Sequence, residues 1–261
     1  MIRHLLPLLL IPFLFSCTPQ ERTEERELIA HAGGAVDGHV YTNSLEALKT
    51  AVDNGYRYIE TDLLLTADSV LVAAHSWELF NRMTGNGHRG DSAMTLEEFL
   101  DQRIYGRYTP MSAEMVNEFF VNDTALYLVT DKVSDPSVLA EYFPDIRHRM
   151  VVEAFSYAHY ERLLDEGYYR VLYSCMAEDL YSAVTRHLLL DWLFPGKRIE
   201  WLALHTSGLD YLSFKLVNWL CRFNIALFTV NDYKSVGNGM PEQVRMIYTD
   251  SLLQPAADNP R

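Results

Sequence analysis

Two histidines and three carboxylates in this chain stand where their side chains could cooperate on a phosphate ester. His31 closes the apolar run "LIAHA" and His75 closes "VLVAAHS", so each imidazole ends a segment bound for a core. Glu60 and Asp62 lie two residues apart in "RYIETDL", and Asp131 ends "ALYLVTD". In an extended segment a spacing of two puts both side chains on one face. Carboxylates buried together need cations or hydrogen-bond donors. Two on one strand and a third on its neighbour make an all-oxygen ligand set suited to Mg²⁺ or Ca²⁺. Pairing with Arg57 and Lys132 at the strand ends is the competing reading. Beside a divalent cation, two imidazoles can act as general acid and general base on a phosphodiester. His39, His148, His159 and His187 have no such placement and read as structural.

The elements that must position these groups are legible as alternating patterns. Eight short apolar runs, at 28–32, 57–63, 125–131, 150–155, 170–174, 200–204, 225–230 and 246–249, are separated by helical periodicities. That alternation predicts an α/β fold, a TIM (β/α)8 barrel in a single domain, with an open doubly wound sheet as the fallback. "HAGGAVDG" after the first run lacks the glycine spacing of a dinucleotide-binding turn. "NSLEALKTAVDNG" keeps Leu45, Leu48 and Val52 on one face and stops at Gly55, while Thr95 and Glu98 have capping-box spacing. Residues 75–124 give no clear pattern and read as an excursion over one end of the barrel. Barrel sites lie at the C-terminal ends of the strands. His31, Glu60, Asp62, Asp131, Glu153, Asn231 and Asp250 all fall there.

The blocks "IAHAGG", "YTNSLEAL" and "NGYRYIETDLLLTADSVLVAAHSW", followed by "LYLVTDK", "LFTVND" and "IYTD", resemble the glycerophosphodiester phosphodiesterase family over most of the chain. The resemblance implies a TIM barrel that hydrolyses glycerophosphodiesters with a divalent metal. By position it makes His31 and His75 the catalytic pair and Glu60, Asp62 and Asp131 the metal ligands. Asn43 and Asn231 also match its motifs, and with Lys132 and Glu153, which lie at strand ends, they are expected around the substrate. The chain departs from the family pattern at four points. Ala32 stands where the family has a phosphate-contacting arginine, Thr42 replaces a glutamate, and Ser76 replaces the aspartate after the second histidine. Lys132 lies one position away from the family's lysine. A literal "HRG" at 88–90 sits in a glycine-rich loop with no strand before it, from which Arg89 at most reaches inward.

The chain starts with "MIRHLLPLLLIPFLFSC", an apolar run too short to span a bilayer and ending like a bacterial lipobox. We read 1–16 as a signal peptide, Cys17 as the lipidated residue, 17–27 as lipidated Cys and tether, and 28–261 as the barrel. The expected location is the bacterial envelope, exported and membrane-anchored through lipid. Loss of residues 1–16 removes one positive charge, Arg3, taking the formal charge from −13 to −14. So acidic a chain carries no electrostatic footprint for nucleic acid. Cys175 and Cys221 lie among apolar neighbours and read as buried thiols. Trp77, Phe80, Trp192, Phe194 and Trp201 are either packing residues or contacts to substrate. Two alternatives to hydrolysis stay open at this level: a phosphate-ligand-binding lipoprotein with weakened catalysis, and a lipid phosphodiesterase that leaves a cyclic phosphate.

Overall fold

The computed structural model describes residues 26–174, 199–210, 223–232 and 240–251. Cys17 with its leader and the tether as far as residue 25, Cys175, Cys221, His187, Trp192, Phe194 and most of two expected late helices lie outside these residues; Glu27, expected to end the tether, opens the first strand.

Ten strands follow the chain: β1 (Glu27–Ala30), β2 (Tyr58–Glu60), β3 (Leu63–Leu65), β4 (Leu71–Ala73), β5 (Tyr127–Thr130), β6 (Met150–Ala154), β7 (Val171–Ser174), β8 (Trp201–His205), β9 (Asn224–Phe228) and β10 (Val244–Thr249). Eight of them close a barrel in the order β1-β10-β9-β8-β7-β6-β5-β2, and every pairing is parallel. These are the eight runs read from the sequence, and the architecture is the expected TIM barrel. The described α-helices are α1 (Leu45–Asp53), α2 (Trp77–Thr84), α3 (Leu96–Leu100), α4 (Ala113–Asn122), α5 (Pro136–Tyr142) and α6 (Tyr157–Asp165). Gly55, with φ +83°, ends the α1 segment as its position suggested.

The period of two along each strand explains how the barrel presents its chemistry. Ile29, Tyr58, Val129, Val151, Leu172, Ala203, Ala226 and Tyr248 point inward, one per strand, and with Met246 form a buried layer across the barrel. Two residues further along each strand, on the same face, come His31, Glu60, Asp131, Glu153, Ser174, His205, Phe228 and Asp250. The apolar layer is the floor on which the polar layer stands.

One expected strand is in fact two. The run 57–63 breaks after Glu60, and Leu63–Leu65 leaves the barrel to pair antiparallel with β4. Asp62 therefore sits on the turn out of the barrel rather than within a strand. The hairpin opens the excursion, which has a core of its own comprising Val72, Trp77, Phe80, Met94, Phe99 and Ile104 among others. Trp77 and Phe80 are 6% and 1% exposed, so they pack here and do not contact substrate. Trp201 begins β8 and belongs to the N-terminal end of the barrel, opposite the polar layer. Ser76 caps α2 through Leu79 N–H at 3.2 Å, and Thr95 and Glu98 form the full capping box of α3.

Candidate active site

Glu60, Asp62 and Asp131 converge, each offering an oxygen within 4.8 Å of the others. Four hydrogen bonds hold Glu60 and Asp62. Ala32 N–H donates to Glu60 Oε2 at 2.5 Å. The Asn43 amide clasps Asp62 at both ends: Nδ2 donates to Oδ2 at 2.9 Å, and Oδ1 accepts from the Asp62 N–H at 3.0 Å. Lys132 Nζ donates to Asp62 Oδ1 and, at 2.9 Å, to the His75 carbonyl. Asp131 Oδ1 is buried with no hydrogen-bond partner. An orphaned carboxylate oxygen facing two further carboxylates, all hard oxygen donors, fits a divalent cation.

The two imidazoles flank this cluster in different settings. His31 Nδ1 lies 2.7 Å from Asp250 Oδ1, and Asn231 Nδ2 donates to the other Asp250 oxygen at 2.8 Å. Asn231 Oδ1 also accepts from the Asp250 N–H at 2.8 Å, so Asn231 fixes this carboxylate in place. Burial opposes the charged form of Asp250, but the hydrogen bonds from His31 and Asn231 prevail and hold its carboxyl below the usual range. His75 lies on the segment between β4 and α2 and is half-buried. Its burial, with Lys132 and His31 nearby, lowers its pKa against the opposing pull of Asp62.

The tyrosine ring of Tyr41 stands edge-on to both histidines, 4.9 Å from His31 and 5.1 Å from His75 between centroids. Burial and the Asp250, Asp62 and Glu60 charges push its phenol up to about 12, so it is a neutral wedge. Sequence reasoning missed it, because a tyrosine in a loop carries no signal of its own. Tyr41→Phe is expected to retain activity within about twofold. Tyr41→Leu, which lets the imidazoles drift, should lower kcat at least tenfold, on the order of what ångström-scale misplacement costs. Steady-state kinetics on the two variants checks this.

Other expected residues divide between contact and support. Asn43 and Asn231, expected around the substrate, direct their side chains to Asp62 and Asp250. Glu153 is buried in β6, below the mouth; burial raises its pKa against a hydrogen bond from Ser174 and the charge of His31. Arg89 is exposed in the loop after α2, away from these groups among the described residues. The departures from the family pattern also find local reasons. Ala32 is fully buried, and at φ 49° and ψ 39° it aims its N–H at Glu60. Thr42 Oγ1 lies 3.0 Å from Ser44 Oγ, the cap of α1. Ser76 does the capping that an aspartate can do equally well. Lys132, displaced by one position in sequence, has φ +64°, and its ammonium turns back to Asp62.

Positive φ at Ala32, Tyr41, Asn43 and Lys132 concentrates backbone strain around this one cluster. So does electrostatic cost. Burial first, then Asp62 and Asp131, raise Glu60 well above the carboxylate range despite the Ala32 N–H and Lys132. Burial and Asp62 raise Asp131 to about 8, against the pull of Lys132. A carboxyl raised in the folded state contributes stability below its unfolded pKa and loses it as pH climbs to the folded value. The window here runs from about 4 to about 8. In chelator, the melting temperature is expected to fall by roughly 5 °C between pH 5 and pH 8. Differential scanning calorimetry at the two pH values would show it.

Comparison with curated proteins gives no match. Solved structures of the same fold are numerous. A phosphodiesterase from Oleispira antarctica, in complex with the product sn-glycerol-3-phosphate, superposes with a TM-score of 0.66 at 18% identity, covering 87% of this chain and 94% of that one. A glycerophosphodiester phosphodiesterase from Agrobacterium tumefaciens gives 0.64 at 16% identity over 87% and 98%. One from Thermotoga maritima gives 0.64 at 17% identity over 86% and 94%. At these identities the likeness is one of fold. The sequence itself goes further, since the model of the glycerophosphoryl diester phosphodiesterase family matches residues 31–201, from the first histidine into β8. That match takes in more than half of the chain, which therefore belongs to the glycerophosphoryl diester phosphodiesterase family of hydrolases.

Proposed function

We propose that this protein is a divalent-metal-dependent phosphodiesterase that cleaves glycerophosphodiesters to glycerol 3-phosphate and an alcohol. Its substrates are deacylated phospholipids or glycerol-phosphate units of surface polymers. The observation that carries the reading is the convergence of Glu60, Asp62 and the orphaned Asp131 oxygen beside two imidazoles at the C-terminal end of the barrel. The Oleispira relative, of the same fold, holds sn-glycerol-3-phosphate. We further propose that the protein is exported and lipid-anchored through Cys17.

Glu60, Asp62 and Asp131 would hold the cation, Mg²⁺ or Ca²⁺, and once bound it neutralises charge on the phosphate as the transition state forms. Asp250 accepts from His31 Nδ1–H, which leaves the Nε2 lone pair as the base that takes a proton from water or a neighbouring glycerol hydroxyl. The nucleophile's oxygen bonds to phosphorus as the bond to the leaving alkoxide breaks, and His75, entering this step as imidazolium, gives that alkoxide its proton and is left neutral, the form its surroundings favour. Lys132 supplies the positive side chain that Ala32 cannot.

The test is hydrolysis of glycerophosphocholine, glycerophosphoethanolamine and glycerophosphoglycerol, followed by phosphorus NMR. Chelator is expected to lower the rate at least a hundredfold, and excess Mg²⁺ or Ca²⁺ to restore it. Undiminished turnover in chelator would remove the metal from the proposal. A persistent cyclic phosphate would show that the glycerol hydroxyl, not water, attacks first.

A further inference from the structure

Taking the Cys17 anchor proposed above as given, we infer that the protein rests on its bilayer by the N-terminal face of the barrel. The active-site mouth then opens to the aqueous side. The substrates it reaches are water-soluble phosphodiesters, not lipids of the bilayer that holds it.

The polarity of β1 carries the argument. This strand enters the barrel at Glu27 and delivers His31 at its other end, so the chain arrives on the face opposite the catalytic groups. Nine residues separate Cys17 from Glu27, and even fully extended they reach only about 35 Å. Turning the mouth to the bilayer would require the tether to pass outward around a helix layer about 10 Å thick. It would then climb about 20 Å of strand and clear the excursion that opens from the C-terminal end of β2. The first two stretches alone take about 30 Å of that reach, which leaves too little chain to clear the excursion and seat the lipid.

The face so presented suits an interface. A cavity of about 440 Å³ opens there, lined by Tyr58, Arg170, Trp201 and Arg245 among others. Arg170 donates to Tyr58 Oη at 2.9 Å and lies 4.9 Å over the Tyr127 ring. Arg26 and Arg57 are exposed on the same face, and Tyr169, at 84%, is the most exposed large apolar side chain among the described residues. Aromatic and arginine side chains are those that settle at the headgroup level. Glu27, Asp123, Glu166, Glu200 and Glu242 share this end of the barrel, so the tether and individual side chains seat the protein, not a net positive field.

Hydroxyl-radical footprinting tests the orientation with the barrel sequence left unaltered. Tyr169 and Phe155 (54% exposed) lie at the two ends of one β6-α6-β7 unit, Tyr169 before β7 and Phe155 directly after β6. The processed protein is reconstituted on phosphatidylethanolamine–phosphatidylglycerol vesicles and compared with the soluble Cys17→Ser form. Oxidation at Tyr169 is expected to drop several-fold on vesicles while Phe155 is unchanged. Protection of Phe155, or of neither residue, in protein whose lipid mass on Cys17 is verified would overturn the orientation alone. Absence of lipid at Cys17 would overturn the anchor and the orientation with it. On the same vesicles, hydrolysis of dissolved glycerophosphoglycerol but not of host headgroups is expected, and release of host headgroups would overturn the inference. If neither is cleaved while Tyr169 is protected, the orientation stands and the catalytic proposal fails.

Discussion

Alanine at His31 is expected to lower glycerophosphodiester hydrolysis by about three orders of magnitude, the central contribution of a general base. The loss should fall on kcat with KM little changed, because the imidazole acts on the proton in flight and not on the resting ester. His31 is only partly buried, so the fold and melting temperature should stay near those of the parent. The Asp250→Asn variant separates orientation from proton transfer. An asparagine there can offer Nδ1 a donor, which would strand the imidazole in the wrong tautomer and cost about a hundredfold or more. Steady-state kinetics of both variants, with circular dichroism as the control, decides the matter. Full turnover in His31→Ala would remove the imidazole from the mechanism.

The second large effect is expected at Asp131, where stability and activity should move in opposite directions. Its Oδ1 is buried without a partner, and its carboxyl is pushed up to about 8 by burial and by Asp62. At pH 8 in chelator, Asp131→Asn removes part of a buried like-charge cluster and should raise the melting temperature by about 3 °C, the equivalent of roughly 1 kcal/mol. The same change deletes a cation ligand. Saturating Mg²⁺ or Ca²⁺ should then no longer stabilise the protein, and hydrolysis should fall at least a hundredfold. Calorimetry with and without the ion reads both halves. A variant that is destabilised in chelator, or that keeps the full ion-dependent shift, would show that Asp131 is a structural acid.

The barrel was legible because its strands are short apolar runs separated by helices. His31, Glu60 and Asp131 were legible because each extends the inward face of a strand by one step. Asp62 was found by the same spacing for a partly mistaken reason: it lies beyond the end of β2, and the Asn43 amide brings it to the cluster. The excursion could not be read, since its core is gathered from segments far apart in sequence, Val36 to Tyr108, and has no single period. Nor could the supporting partners. That Asn231 serves Asp250, or that Tyr41 stands between two imidazoles, depends on contacts across more than a dozen residues or on loop backbone with positive φ. Lys132 shows the same limit. Its one-place offset was legible in sequence, but the left-handed backbone that turns its ammonium to Asp62 was not.

The apolar floor formed by Ile29, Val129, Val151, Leu172 and their neighbours makes the reaction chamber a blind well. Among the described residues traffic has one gate, so glycerol phosphate must depart by the path along which the next ester arrives. Retention of that product would keep the gate occupied, and a phosphomonoester in the surroundings would act as a brake on turnover without any separate regulatory pocket.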